Sequence, residues 1–292
     1  MANFGPKDIK KLREMTDAGM MDCKQALAAT DGDMEKAVEW LRKKGLGAAA
    51  KKADKVAAEG VIAIKKDGNK AIMLEINSQT DFVAKNDKFQ NFVNEVLEHV
   101  FANDFNSVEE ILESTINGQP FNEYLALQIA TIGENLVVRR YAKVVTDGSL
   151  GTYVHANSKV GVIVASDAKG VEDMLKNIAM HAAAMNPKYL NEASVPADVI
   201  EKEKEIAKEQ LIKEGKPEAI LDKILPGKIK KFMQDNTLEN QKFVMDDKIS
   251  VAEALKQVNP DAKLTDYVRF ELGEGIEKVE EDFAAEVAKQ MS

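Results

Sequence analysis

GVIAIKKDGNKAIMLEI, residues 60–76, decides the fold class. At Val61-Ile62-Ala63-Ile64 the apolar spacing shifts from the helical three-and-four pattern upstream to a step of two, as a strand requires. Lys66-Asp67-Gly68-Asn69 is a turn of the Asp-Gly kind that favours hairpins, and Ala71 to Ile76 is the return strand. A long helix follows from about Asp87 to Ala102.

The same succession recurs downstream. Gly151 to His155 reads as a strand, Ala156 to Lys159 as a turn, Val160 to Ala165 as a strand and Val171 to Ala184 as a helix. Gly60 corresponds to Gly151, 91 positions on, and Lys70 to Lys159, 89 on. In the helix the offset is 82, and Phe89, Phe92, Val93, Val96, Leu97 and Val100 fall on Val171, Met174, Leu175, Ile178, Ala179 and Ala182. All of these pairs are apolar and share one helical face. His99 falls on His181 as well, so both histidines read as structural. A further strand closes each copy, Leu136 to Val145 and Tyr267 to Leu272. The order implies an α+β fold with an internally duplicated strand–strand–helix–strand core, copies at 56–146 and 147–265, and antiparallel sheets.

The fall in offset from 89 to 82 gives the first copy seven more residues between its second strand and its helix, within Asn77 to Asn86. Loops elaborated on a rigid scaffold commonly carry function. Within this loop Phe82 either tucks back beneath its own backbone, the ordinary packing outcome, or is presented as a wedge beside the Asp81 carboxylate. His155 stands where the first copy has Ile64, so the scaffold does not require a histidine there. It reads as an ordinary partly buried residue or as a contact.

Upstream, residues 1–55 read as three short helices and a linker. Ile9, Leu12 and Thr16 mark the first helix, Cys23, Ala26 and Leu27 the second, and Met34, Ala37, Val38 and Leu41 the third, with Asp33 as N-cap. Gly45 and Gly47 are expected to end the third helix, and Ala48 to Ala58 to form a charged linker whose composition is also compatible with helix. Met20-Met21 sits at the break between the first two helices, either capping the small core or forming an adaptable contact. Within the second copy, residues 195–234 carry a charged helical pattern broken at Gly215-Lys216-Pro217, which implies an inserted antiparallel helical hairpin. Its apolar positions are Ile200, Ile206, Leu211 and Ile212 before the break and Ile220, Leu221, Ile224 and Leu225 after it. Residues 266–292 form a C-terminal module that turns helical from about Glu274, with Ile276, Val279, Phe283 and Val287 as its stripe.

Composition narrows the function. The chain has 292 residues, 45% of them hydrophobic, and a formal net charge of −9. Residues 1–58 hold 12 Lys/Arg against 9 Asp/Glu, so the acidity belongs to the remainder. That balance argues against general phosphate attraction to nucleic acid and for a protein partner. One cysteine, Cys23, excludes an intrachain disulfide and a Cys-based zinc site, and three dispersed histidines disfavour a metal cluster. No apolar run is long enough to span a membrane, and no signal-peptide core interrupts the charged start, so a cytoplasmic protein is expected. No phosphate loop, dinucleotide fingerprint or convergent acid, base and nucleophile is present, so neither an enzyme nor a cofactor is expected.

These residues resemble bacterial translation elongation factor Ts. Thr16-Asp17-Ala18-Gly19-Met20-Met21-Asp22-Cys23-Lys24 is similar to the family's N-terminal signature, with Asp17 where glycine is usual. Gln79-Thr80-Asp81-Phe82-Val83-Ala84-Lys85-Asn86 is similar to its second signature, and Ile132-Gly133-Glu134-Asn135 and Phe270 through Val287 also fit. The resemblance implies a guanine-nucleotide exchange factor for elongation factor Tu, with an N-terminal three-helix domain like the ubiquitin-associated domain and a C-terminal clasp. It implies that Thr80, Asp81, Phe82 and Val83 intrude near the partner's magnesium site, and that Arg13, Met20, Met21, Ile132, Gly133 and His155 add contacts. A homodimer and a heterotetramer with that partner both stay open.

Overall fold

The computed structural model describes residues 3–16 and 18–277, with Glu218 and Ala219 described by their backbone alone. Asp17 of the N-terminal signature and Val279, Phe283 and Val287 of the C-terminal stripe lie outside the described residues. In chain order the elements are α1 (Pro6–Thr16), α2 (Met20–Ala29), α3 (Met34–Lys52), β1 (Glu59–Asp67), β2 (Lys70–Ser78), α4 (Asp81–Ala84), α5 (Asp87–Ala102), α6 (Val108–Glu113), β3 (Thr115–Ile116), β4 (Gln119–Pro120), α7 (Phe121–Ile132) and β5 (Val137–Val145). There follow β6 (Ser149–Val154), β7 (Val160–Ser166), α8 (Glu172–Met185), α9 (Ala197–Lys213), α10 (Glu218–Asn236), β8 (Lys242–Phe243), β9 (Asp246–Ser250), α11 (Val251–Val258) and β10 (Leu264–Glu271).

The fold is α+β, and its two main sheets share one topology. Their strand orders are β1-β2-β5 and β10-β7-β6. In each, the second strand of the copy is central, and the first and third flank it. In the second sheet both pairings are antiparallel, with Tyr153 opposite Val162 and Ile163 opposite Val268. The two central strands are buried almost throughout, from Ala71 to Ser78 and from Gly161 to Ser166. A strand covered on both faces favours a continuous apolar run; Val162 to Ala165 supplies one, and Ala71 to Leu74 does so up to the buried Glu75. In the second copy α8 lays Leu175, Ile178, Ala179 and Ala182 against Val162 and Val164. In the first, α5 buries Phe89, Phe92, Val93, Val96 and Val100. Burying each phenylalanine contributes about 2–3 kcal/mol.

By proximity the chain forms two compact units. One holds the described residues up to 61, 74–141 and those from 272 onward, and the other holds 62–73 and 142–271. Within the first, the three N-terminal helices bury Leu12, Ala18, Cys23, Ala26, Leu27, Ala37 and Leu41, and Leu127 of α7 completes the cluster. The Asp33 carboxylate accepts from the Lys36 N–H at 3.1 Å and starts α3. Gly45 and Gly47 do not end that helix, which runs on to Lys52, into the first part of the expected linker. A Cβ on Gly45 would lie 3.2 Å from Leu127 Cδ2 and 3.4 Å from the Ala126 carbonyl oxygen. Gly45 therefore serves close helix–helix approach rather than termination.

The first unit also holds a carboxylate with no solvent exposure. Glu75, in the middle of β2, accepts from Arg139 Nη1 at 3.0 Å on both oxygens, from Asn77 Nδ2 at 3.1 Å and from the Gly273 N–H at 2.9 Å. Arg140 Nε also donates to it, and Arg140 Nη1 reaches Glu274 at 3.1 Å. Burial alone would raise the Glu75 carboxyl. The Gly273 N–H, the Arg140 guanidinium and Asn77 together outweigh burial and hold it below its ordinary range. Residues 272–275 form a turn and 276–277 are not helical, so the helix expected from about Glu274 does not begin in the described residues.

In the second unit α9 and α10 form the antiparallel hairpin. Its Ala207, Leu211, Leu221 and Met233 are buried, and its Ile206 and Ile212 are exposed. The expected stripe is therefore only partly interior.

Two measurements check this account. Gly45→Val should lower unfolding free energy by about 1–3 kcal/mol, because α7 blocks the added methyls. Gly47→Ala, where nothing lies within 4 Å of the added carbon, should raise it by about 0.5–1 kcal/mol. Urea unfolding gives both signs. Glu75→Gln should cost about 3 kcal/mol at neutral pH by leaving two guanidiniums underpaired. The native carboxyl sits below its unfolded value, so its contribution is present above about pH 4.5 and is lost as pH falls through the native value. The difference between wild type and Glu75→Gln should therefore shrink on acidification, and a constant difference between pH 7 and pH 3 would contradict it.

Candidate partner-binding surface

The loop after β2 is fastened at both ends. At its start the Glu134 carboxylate accepts three hydrogen bonds, from the Gln79 and Thr80 N–H groups at 3.0 Å each and from Thr80 Oγ1 at 2.6 Å. In return Gln79 Oε1 accepts from the Asn135 N–H at 2.8 Å. Thr80 is also the N-cap of α4, accepting from the Val83 N–H at 3.3 Å. At the far end Gln90 Nε2 donates to the Ala84 carbonyl at 2.6 Å, and Asn86 caps α5. Ala84 is buried and Val83 half-buried.

On this fixed turn Phe82 is 82% exposed. It does not tuck beneath its own loop. Asp81 pairs with Lys85 Nζ at 2.8 Å, and its side chain remains about half exposed. Leaving a phenylalanine in water forgoes roughly 2–3 kcal/mol of burial. Packing within the loop therefore does not account for where the ring stands.

Ile132 and Gly133 lie beside this anchor, two residues and one residue before Glu134. Gly133 ends α7 in a left-handed conformation, φ 91°, and its N–H donates to the Ile129 carbonyl at 2.9 Å. A side chain would strain that turn. The Gly133 carbonyl accepts from Lys52 Nζ at the end of α3. A cleft of about 730 Å³ runs between Lys51, Lys52 and Lys55 on one side and Gln79, Gly133 and Glu134 on the other. The structure thus gathers Thr80 to Val83 with Ile132 and Gly133.

Arg13, Met20 and Met21 are all exposed on the N-terminal helices, the two methionines at 61% and 64%. They do not cap the small core. His155 belongs to the other compact unit and is exposed in the β6–β7 turn. Its Nδ1 is 3.0 Å from Tyr153 Oη, and its N–H donates to the Val160 carbonyl at 2.9 Å. It is a surface residue, not a partly buried one.

One surface was missed by the sequence reading. Val244 and Met245, in the turn between β8 and β9, are 53% and 50% exposed, next to buried Phe243. The Val244 N–H donates to His181 Nδ1 at 3.1 Å, and His181 Nε2 meets Gln241 Oε1 at 2.9 Å. His181 is fully buried, and burial lowers its pKa. With one nitrogen accepting and the other donating, the ring is neutral and serves as an anchor. A Val-Met pair between an aromatic and two aspartates was the available signal. The strands of this hairpin are too short to show a period.

Among the described residues no three His, Cys, Asp or Glu side chains gather as a metal cradle, and no helix is long and apolar enough to cross a membrane. Compared with known proteins, residues 79–274 match the family model for elongation factor TS. The chain is 54% identical to an elongation factor Ts from Nitratiruptor sp., covering 97% of each chain. It is 49% identical to one from Sulfurovum sp., over the full length of both, and 48% identical to one from Halothermothrix orenii, over 98% of each. The chain belongs to the elongation factor Ts family of translation elongation factors.

Proposed function

We propose that the chain binds elongation factor Tu carrying GDP and promotes release of the nucleotide, so that GTP can replace it. The observation that carries this reading is Phe82, exposed on a turn that Glu134 holds still. Phe82 acts as a wedge between elements of the partner's nucleotide site. Asp81, beside it, disturbs the surroundings of the partner's magnesium ion. Magnesium offsets phosphate charge, so disturbing it weakens GDP retention. Arg13, Met20, Met21, Ile132, Gly133 and His155 supply further contacts, and exposure of Val244 and Met245 supports adding that turn.

Exchange of this kind makes and breaks no covalent bond. The factor and GDP stabilise different states of the GTPase, so each weakens the other by the same factor. Each tenfold loss of GDP affinity needs about 1.4 kcal/mol of differential interaction. Burying Phe82 alone offers roughly 2–3 kcal/mol. Because the loop is already ordered, little of that is lost to fixing its backbone on binding.

Stopped-flow release of a fluorescent GDP analogue from elongation factor Tu tests the reading. Phe82→Ala should slow stimulated release about tenfold or more. Its unfolding free energy should change by less than about 0.5 kcal/mol, since the ring is largely exposed. Unaltered release would remove the wedge. Glu134→Gln should lose about three- to tenfold of the stimulation by loosening the loop that carries the ring. Amide hydrogen exchange at Gln79 and Thr80 should accelerate in the same variant. Unchanged protection at both amides would mean that Glu134 is not the anchor.

A further inference from the structure

Three thioethers bracket the connection between α1 and α2. Met15 is 57% exposed, Met20 61% and Met21 64%. By contrast Met73 is fully buried and Met233 nearly so. Backbone and side-chain hydrogen bonds flank that connection. Thr16 Oγ1 donates to the Leu12 carbonyl at 2.7 Å and accepts from the Ala18 N–H at 3.4 Å, and the Cys23 N–H donates to the Gly19 carbonyl at 2.9 Å. Met20 and Met21 open α2, whose buried face is Cys23, Ala26 and Leu27. Core packing therefore does not explain two thioethers at these positions.

We propose that Met20 and Met21, with the exposed Met15 of the preceding helix, form a peroxide-sensitive site whose conversion to sulfoxide weakens the chain's action on its GTPase. The inference rests on the exchange-factor reading above. In the step itself, the sulfur lone pair attacks one oxygen of hydrogen peroxide. The O–O bond breaks, an S–O bond forms, and the second oxygen leaves as water after proton transfer. Sulfur loses two electrons and peroxide gains them.

The local chemistry favours these sulfurs. A thioether carries no proton to lose, so access to solvent governs its rate. A thiol must first ionise. Cys23, the one cysteine, is fully buried and its thiol is pushed up by that burial, so it does not intercept the oxidant. Oxidation turns a flexible apolar side chain into a polar, chiral one. A surface suited to adaptable apolar contact then has to bury an S–O dipole, which opposes binding.

The test uses the whole chain, treated with hydrogen peroxide and mapped by peptide mass spectrometry. Each preparation is compared with its own untreated form in the GDP-release assay. Met20 and Met21 should become sulfoxides well before Met73 and Met233, and stimulated release should fall about tenfold. Treatment with methionine sulfoxide reductases should restore it. A Met15→Leu, Met20→Leu, Met21→Leu variant should keep its own untreated rate after peroxide. Complete oxidation of Met20 and Met21 with unchanged release would overturn the proposal. So would an equal loss in the triple variant, which would assign the effect to another methionine such as Met245. An untreated chain that does not speed GDP release would sink the exchange reading, and this inference with it, whatever the oxidation map shows.

Discussion

A carboxylate in the middle of a central strand has to be paired or neutralised, because an isolated buried charge costs several kcal/mol. Glu75 is in that position, and the first compact unit is organised around its pairing. Arg139 and Arg140 come from β5, the neighbouring strand in the sheet, while Gly273 and Glu274 come from the turn near the end of the described chain. The charge therefore fixes which strand lies beside β2 and where the later segment docks. Hydrophobic burial alone is less particular, since a strand of apolar residues accepts many neighbours. β2 then ends at Ser78, and the loop bearing Phe82 starts from that fixed point.

Two turns on the molecule present apolar side chains by the same means. In one, the Glu134 carboxylate gathers the N–H groups of Gln79 and Thr80, and Phe82 stands out two residues on. In the other, the buried imidazole of His181 accepts the N–H of Val244, and Val244 and Met245 stand out. Left to itself a short turn would fold an apolar group inward. An acceptor that binds the turn's own backbone removes that freedom, so the side chain stays exposed although exposure is unfavourable. Each acceptor comes from a different part of the chain, 54 residues away for Thr80 and 63 for Val244.

That distance in sequence explains what could and could not be read beforehand. The hairpin, the duplication and the N-cap at Asp33 rest on local rules of period and capping, and each was legible. The helical faces of α5 and α8 were legible for the same reason. Gly45 was misread because its cause is Leu127, a residue on another helix; a glycine in a charged, Ala-rich stretch looks like a stop signal when the neighbour is unknown. Glu75 drew no notice because one glutamate in a strand reads as a solvent-facing position until both faces prove covered. The exposure of Phe82 was undecidable for a related reason. Whether an aromatic in a loop tucks in depends on what holds the loop, and Glu134 gives no local sign of that task.

The two kinds of candidate contact differ in what they ask of a partner. Phe82 is held by hydrogen bonds on both sides of its turn, so a binding site must conform to it. Such a group suits forcing elements apart, because a yielding wedge would move instead of its target. Met15, Met20 and Met21 have several rotatable bonds each and are largely exposed, so they can conform to a surface that meets them. The exchange proposed above calls for both properties, since a GTPase is to be held while its nucleotide site changes shape. Rigid contact concentrates binding energy on the distortion, and adaptable contact keeps the two proteins together as the distortion proceeds.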